Sequence, residues 1–351
     1  MTVMDRERAP GNRAMSYRQD MALMGTSRRW ALTAVVILAV MVLPLAASRG
    51  WVAFATVTAI SVITVTGLQV LMGTCGQVSV GQSAFMGVGA YLAGFAATVQ
   101  GFPLLLAILF AGVGTTLVGL VFALPATRIH GFYLALTTIA AQFVFVFTVP
   151  RLPAEWFGGN TGLSLSAPSV FGVTLRTATQ LYYLVIPIAI VLVVVASFVN
   201  HSQLGRQMVA VRENELAAGV NGVRVTRTKI IAFGIASFYA GTAGALLAFV
   251  TGIAHYEQFT LIESIWFLGY LIVGGLSRTL GAVIGTVLLC LVREWLHVLA
   301  DSLGDRVDAD VVFPMINVVF GVVILLVLLY QSRGLVHVYS TVMARARRWP
   351  L

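Results

Sequence analysis

The sequence has few charged residues for its length of 351 residues: only 10% are Asp, Glu, Lys or Arg, whereas soluble domains average ~25%. Hydrophobic residues make up 59% of the chain, above the ~45–50% of soluble proteins, and the mean hydropathy is +0.93. This composition excludes a soluble globular protein. It predicts an all-α, polytopic membrane protein, because helices satisfy their own backbone hydrogen bonds in lipid.

Cysteine and histidine are also scarce. The two cysteines, Cys75 and Cys290, lie in different apolar regions and have no paired spacing, which disfavours a disulfide framework. The five histidines are scattered singly and form no HExxH pattern. We therefore predict neither a metal site nor a metal cofactor.

Lysine is nearly absent, since Lys229 is the only one in the chain. A phosphate-binding loop needs a glycine-rich backbone followed by lysine, and Lys229 follows Thr228 instead. The apolar segments contain no acid pair or nucleophile with a neighbouring base, so catalysis is disfavoured as well. We predict a protein that is not an enzyme and has no cofactor. If it performs uphill transport, partner subunits must bind the ATP.

Long apolar runs are what the sequence has in abundance. A membrane-spanning helix needs about 20 apolar residues, and ten segments approach this length: 30–47, 51–72, 83–99, 102–125, 131–149, 181–199, 230–250, 259–276, 280–296 and 311–330. The eighth segment is the weakest, because Glu263 interrupts it, and it is a candidate half-helix. If the eighth and ninth segments form a re-entrant pair, eight spans remain.

Basic residues collect on one side when these segments are threaded alternately. The side of the amino terminus carries 17 of the 22 basic residues, which places both termini in the cytoplasm by the positive-inside rule. The predicted organisation is a cytoplasmic tail (1–29), a transmembrane domain (30–330) and a second cytoplasmic tail (331–351). Within the domain, residues 150–180 form an external loop and residues 200–229 a cytoplasmic loop.

Small residues recur at helical spacing inside the apolar segments. Ser83, Gly87, Ala90 and Gly94 share one helix face, and Ser237, Gly241, Gly244 and Ala248 repeat the same offsets. Faces of this kind let membrane helices pack closely. The interiors of segments two to seven contain no Asp, Glu, Lys, Arg or His, which disfavours proton-coupled transport.

Five motifs rich in glycine and small residues follow one another along the chain. The first is GQVSVGQSAFMGVGAY at residues 76–91, which resembles the GQ-x-S-x-G-x-x-A-F-x-G-x-G-A-Y segment of the LivM-type family of branched-chain amino acid ABC permeases. Residues 131–138, 158–163 and 205–218 are similar to three further family segments. Residues 272–285 resemble the GG-x-G-S-x-x-G-x-x-x-G segment, with Ser277 and Arg278 at the place of Gly-Ser. The motif and packing residues are Gly76, Gln77, Ser79, Gly81, Ser83, Gly87, Gly94, Gly241, Gly274, Gly275, Gly281 and Gly285.

The resemblance gives the cytoplasmic loop a specific role. In ABC importers, a short permease helix often marked E-A-A-x-x-x-G docks on the ATPase, and Ala217, Ala218 and Gly222 fit this pattern with Glu215 one place early. We expect Met208, Val211 and Leu216 to lie on one side of a docking helix. The predicted coupling residues are Arg206, Arg212, Glu213, Asn214, Glu215, Ala217, Ala218 and Gly222.

A solute crossing the membrane also needs hydrogen-bond partners along its path. Uncharged polar side chains within the segments could line this path or could bond between helices: Gln69, Gln82, Thr137, Thr138 and Gln142.

The resemblance implies an inner-membrane permease for branched-chain or other small amino acids. It further implies a second homologous permease, two cytoplasmic ATPases and an external solute-binding protein as partners, and no nucleic acid. The alternatives are a urea or short-amide ABC permease, a stand-alone channel for a small neutral solute, and a membrane enzyme that uses Glu257, Glu263 or Glu294.

Overall fold

The computed structural model describes residues 27–126, 131–166, 168–170, 173–303, 318–319, 321–322 and 325–326. Helices dominate the described residues, so the prediction of an all-α protein is confirmed. The helices are α1 (Ser27–Ala46), α2 (Arg49–Leu68), α3 (Gln82–Thr98), α4 (Leu104–Ala126), α5 (Phe132–Thr148), α6 (Ala154–Phe157), α7 (Ala178–His201), α8 (Gln203–Glu213), α9 (Glu215–Val220), α10 (Val225–Thr251), α11 (Leu261–Gly274) and α12 (Thr279–Leu303). A π-helix, Gln69–Thr74, continues α2 without a break.

Six of the described helices are long and apolar enough to cross a membrane: Arg49–Thr74, Leu104–Pro125, Tyr133–Arg151, Ala178–His201, Val225–Thr251 and Thr279–Leu296. Helix α1 covers the first predicted segment and is not among the six. Helices α3 and α11 have 17 and 14 residues, and at 1.5 Å per residue α11 is only ~21 Å long against ~30 Å of hydrocarbon. Most of the tenth predicted segment, 311–330, lies outside the described residues.

Helix α10 occupies the centre of the bundle. It packs against α2, α3 and α4, and 72% of its apolar window is buried. Glycine permits the closest approaches: a Cβ added to Gly244 would lie 1.7 Å from the carbonyl oxygen of Met86 on α3. Tyr239 on α10 donates a hydrogen bond to the carbonyl of Leu192 on α7, at 2.7 Å. The central position of α10 means that it contacts helices on several sides at once.

Helices α11 and α12 cross with their backbones in contact. A Cβ on Gly274 would lie 2.0 Å from the carbonyl oxygen of Gly281, and a Cβ on Gly285 would lie 2.3 Å from that of Tyr270. Gly275 has φ +110°, which other residues rarely adopt. The glycines of the 272–285 motif therefore permit a tight antiparallel pair.

Gly87 and Gly94 on α3 have a different role, because they contact side chains and not a helix backbone. A Cβ on Gly87 would lie 2.2 Å from Cζ of Phe145, and one on Gly94 would lie 2.4 Å from Cδ2 of Leu163. Gly241 on α10 faces Thr115, whose Oγ1 would lie 2.4 Å from an added Cβ.

Four short strands lie in the connections at the end of the bundle opposite α8 and α9. Strand β1 (Leu163–Ser164) pairs antiparallel with β4 (Ile253–Ala254), and β2 (Ser169–Val170) pairs with β3 (Val173–Thr174). The β1–β4 pair joins the 150–180 connection to the chain between α10 and α11. Short 3₁₀ helices, Val149–Arg151, Gly159–Thr161 and Tyr256–Gln258, complete this end.

Candidate functional site

Helices α8 and α9 lie together at one end of the bundle and are here called the arm (residues 203–220). Ser202 caps α8 and accepts a hydrogen bond from the backbone N–H of Gly205 at 3.4 Å. Asn214 ends α8 in an extended conformation, with φ −160° and ψ 111°, and its side chain caps α9 by accepting from Ala217 N at 3.0 Å. Asparagine favours this capping position over a helix interior, so the arm is two helices with a break at Asn214.

This break corrects the expectation that three apolar residues share one helix face. Met208 and Val211 on α8 are buried against the bundle, at 0% and 2% exposure, whereas Leu216 on α9 is 84% exposed. Val220, one turn after Leu216, is 90% exposed. Residues four apart lie on the same face of a helix, so α9 presents two apolar side chains away from the protein.

A buried ion pair joins the arm to α10. The Nζ atom of Lys229 lies 2.6 Å from Oε1 of Glu215, and the two side chains are 4% and 33% exposed. A buried ammonium group is strongly unfavourable without a partner. Glu215 therefore holds the start of α9 against the first turns of α10.

A second connection joins the arm to the π-helix. The guanidinium of Arg212 donates to the carbonyl of Gly73 and pairs with Glu213 at 2.7 Å. The aliphatic stem of Arg212 crosses Gly76, where an added Cβ would lie 2.5 Å from Cγ of the arginine. Gly76 also has φ +76°, so the first glycine of the 76–91 motif is needed both for the turn and for this contact.

The arm covers a cleft of about 160 Å³, here called the arm cleft. Its wall combines the start of the 76–91 motif with the arm and α10: Cys75, Gly76, Gln77, Gly131, Leu134, Val211, Arg212, Glu213, Asn214, Glu215 and Lys229. Burial raises the pKa of the Cys75 thiol to about 12, although Lys229 opposes this shift. Among the described residues, neither amide atom of buried Gln77 has a hydrogen-bond partner.

The remaining predicted coupling residues lie at the surface of the arm or beside it. Arg206 is exposed and donates to the carbonyl of His201 at 3.2 Å. Ala217 is exposed, whereas Ala218 is 4% exposed. Gly222 has φ +83° and open space around it, so it forms the turn between α9 and α10.

The 76–91 motif enters the bundle without regular secondary structure before it forms α3. An added Cβ on Gly81 would lie 2.2 Å from the carbonyl oxygen of Thr138 on α5. Val80 N donates to Oγ1 of Thr138 at 2.9 Å, and Gln82 Nε2 donates to the carbonyl of Ala236 on α10 at 3.1 Å. Ser79 is buried beside this segment at 1% exposure. Helix α3 therefore begins between α5 and α10, inside the bundle.

The five polar side chains that are candidates for lining the solute path all donate hydrogen bonds to other groups of the protein. Gln69 and Gln82 bond across helices, and Gln142 donates to the carbonyl of Phe259 while accepting from Ser264 Oγ at 3.3 Å. Thr137 and Thr138 donate to carbonyls of their own helix at 3.1 and 2.9 Å. All except Thr137 are at most 1% exposed.

Sequence reasoning missed the role of Asn200, the last asparagine before the arm. Its Oδ1 accepts from Thr74 at 2.8 Å, and its Nδ2 donates to Gln69 at 2.8 Å and to Thr279 at 2.9 Å. These bonds join α7, the π-helix and the start of α12. The sequence signal for this role is a carboxamide side chain at the end of the apolar run of α7. Lys229 was likewise noted as the single lysine, but its partner was not predicted.

Known proteins resemble the chain along most of its length. A family model described as the permease component of branched-chain amino acid transport systems matches residues 50–328. The chain belongs to this family. The high-affinity branched-chain amino acid transport permease proteins LivM of Salmonella typhimurium and Escherichia coli are each 31% identical to it over 291 residues, covering 75% of this chain and 67% of theirs.

A more distant relative is the probable branched-chain amino acid transport permease protein LivM of Methanocaldococcus jannaschii. It is 25% identical over 239 residues, covering 66% of this chain and 68% of the relative. No solved structure matches the chain. Membership of the family, together with six helices able to span a membrane, makes the chain a multi-pass permease subunit.

Proposed function

We propose that the chain is a permease subunit of an ATP-driven importer of branched-chain amino acids. A second homologous permease, two cytoplasmic ATPases and an external solute-binding protein complete the transporter. The curated relatives, whose names assign them to branched-chain amino acid transport, support the substrate class. The observation that carries the proposal is α9, a short helix with exposed Leu216 and Val220 and anchored through Glu215.

The arm has the properties of a docking element. An apolar pair on one helix face fits a hydrophobic groove on a partner, and isolated exposed side chains of this size gain free energy when they are covered. The ATPases bind and hydrolyse ATP in this proposal, because Lys229 is committed to a buried ion pair and does not belong to a phosphate-binding loop. The basic residues near the arm, including Arg206, Arg224 and Arg227, favour its location in the cytoplasm.

Motion of the ATPases reaches the bundle through two connections. Glu215 transmits displacement of α9 to Lys229 on α10, and Arg212 transmits it to Gly73 in the π-helix. Because α10 packs against three other helices, its displacement changes their arrangement together. Alternating access then requires rigid-body movement of these helices.

The test removes the apolar face of α9. Leu216→Ser combined with Val220→Ser should abolish co-purification with the ATPases and ATP-driven leucine uptake in membrane vesicles, without lowering the amount of the permease in the membrane. The control is Val209→Ser, which changes an apolar residue of α8 that is 38% exposed. Normal uptake by the double variant contradicts the proposal, and leucine flux through the purified chain alone, without ATP, identifies a stand-alone facilitator.

A further inference from the structure

A second cavity lies at the end of the bundle farthest from the arm, between α2, α3, α10, α11 and α12; it is here called the distal cavity. Its volume is about 400 Å³, within the ~300–1,000 Å³ of small-molecule sites. Leu247 and Thr251 of α10 contribute to its wall. Thr251 lies 22 residues after Lys229 on α10, which corresponds to about 33 Å along the helix.

Charges of both signs line this cavity. The Nη2 atom of Arg293 lies 3.2 Å from Oε1 of Glu263, with the two side chains 35% and 29% exposed. The guanidinium carbon lies 4.6 Å from the ring centroid of Trp266. Glu294, the next residue on α12, also lines the cavity. Arg293 also hydrogen-bonds Tyr270. Because a guanidinium has five N–H donors, Arg293 retains donors beyond those that contact Glu263 and Tyr270.

A buried hydroxyl group lies at the wall where α3 begins. Ser83 is 1% exposed, and its backbone N–H donates to Ser264 Oγ at 2.9 Å. Its own Oγ has no hydrogen-bond partner among the described residues, and Ser83 lines the cavity. Buried hydroxyls normally have a partner, so this hydroxyl is available to a bound polar molecule. The positive end of the α3 dipole lies at the same place.

The rest of the wall is apolar. Met86, Phe259 and Phe267 are buried at 1–5% exposure, and Leu247 is half-buried. They surround the polar groups with aliphatic and aromatic surface. This combination suits a ligand that carries two opposite charges and a hydrophobic side chain.

We propose that the distal cavity binds a zwitterionic amino acid with a branched aliphatic side chain. This inference rests on the proposed function and names a solute site within it. Arg293 binds the carboxylate of the amino acid, Glu294 binds its ammonium group, and the buried hydroxyl of Ser83 provides a further hydrogen bond. The apolar wall contacts the side chain. Urea or a short amide lacks both charges and does not need the Arg293 and Glu294 pair.

The experiment measures protection of a cysteine inside the cavity. Ser61, half-buried in the wall on α2, is replaced by cysteine in a background of Cys75→Ala and Cys290→Ala, and the permease with its partner permease is placed in lipid nanodiscs. L-Leucine at about ten times its dissociation constant should slow methanethiosulfonate labelling of Ser61→Cys by roughly tenfold. The matched control is Gly50→Cys, on the same helix in open space, whose labelling should not change.

Three analogues separate the charges while Arg293 and Glu294 remain unchanged. 3-Methylbutylamine lacks the carboxylate, 4-methylpentanoate lacks the ammonium group and isovaleramide is neutral. Each should bind roughly 10- to 100-fold more weakly than leucine, since each loses a charge-assisted hydrogen bond. Arg293→Gln should make leucine no better than 3-methylbutylamine, and Arg293→Lys should restore part of the difference. The analogue series decides the question even if Arg293→Gln fails to fold.

The outcomes distinguish this site from the proposed function. Equal protection by leucine and isovaleramide, or no protection by leucine, overturns the distal cavity as an amino acid site. ATP-driven leucine uptake is measured separately with the complete transporter. Leucine uptake without protection of Ser61→Cys refutes only the assignment of the distal cavity as an amino acid site. Protection of Ser61→Cys without ATP-driven leucine uptake refutes only the proposed importer.

Discussion

Lys229 carries its positive charge to a position that water scarcely reaches, while its partner Glu215 remains partly in contact with solvent. Their side chains are 4% and 33% exposed. Loss of the glutamate would leave an unpaired ammonium group in the interior, whereas loss of the lysine would leave a carboxylate that can hydrate. The two residues are therefore not equivalent, although they form one ion pair.

Single substitutions should reveal this asymmetry. Glu215→Ala should lower the free energy of unfolding by roughly 2–4 kcal/mol, and Lys229→Met by at most about 1 kcal/mol, because only the first leaves a buried charge unpaired. The double variant should recover most of the loss caused by Glu215→Ala. Thermal unfolding of the purified proteins in one detergent ranks the variants by stability. Equal losses of stability in the two single variants would contradict the predicted asymmetry.

Cys75 provides a second residue-scale test, because burial raises the pKa of its thiol to about 12. Maleimides react with the thiolate, so in the Cys290→Ala variant the alkylation rate should continue to rise with pH beyond pH 9. A free thiol, with a pKa of about 8.5, should level off there. Because its pKa is raised, the thiol of the folded protein stays protonated until the pH approaches 12. A rate that levels off near pH 9 would show that the arm cleft is open to solvent.

At the element scale, glycine has opposite effects at two places. A Cβ on Gly244 would lie 1.7 Å from the carbonyl oxygen of Met86, whereas nothing lies within 4 Å of one on Gly219 in α9. Gly244→Ala should separate α3 from α10 and lower stability by about 1–3 kcal/mol. Gly219→Ala should stabilise α9 locally by about 0.5–1 kcal/mol. Thermal unfolding measures the stability of Gly244→Ala. Amide hydrogen exchange in α9 measures the local effect of Gly219→Ala, and faster exchange in that variant would contradict the expected stabilisation.

The long elements could be predicted from the sequence because their signal is local. The apolar runs 51–72 and 230–250 correspond to the spans Arg49–Thr74 and Val225–Thr251, and Glu263 correctly marked the weakest segment, where α11 has 14 residues. The entry of residues 76–81 into the bundle was not predicted, because glycine and polar residues also suit an exposed connection. The ion pair of Glu215 with Lys229 depends on the direction that α9 takes after the break at Asn214. The sequence was interpreted as one continuous docking helix, and its periodicity does not reveal that direction.

Across the molecule, the proposed function assigns docking and transmission to different residues of the same arm. Leu216 and Val220 point away from the protein, whereas Arg212 and Glu215 contact the π-helix and α10. A partner that binds the apolar face of α9 would therefore not need the two charged residues for adhesion. In this proposal, the two charged residues carry the movement of the partner to the bundle.

This division predicts two separable defects in the complete transporter. Arg212→Ala combined with Glu215→Ala should retain the ATPases on co-purification but lower ATP-driven leucine uptake by roughly 5- to 150-fold, the range of a coupling free energy of 1–3 kcal/mol. Leu216→Ser combined with Val220→Ser should lose the ATPases as well. Gln203→Ala, at an exposed position of the same arm, is the matched control and should retain both properties. If both double variants lose the ATPases, the charged residues serve in docking or in folding of the arm, and the transmission route through α10 and the π-helix is wrong.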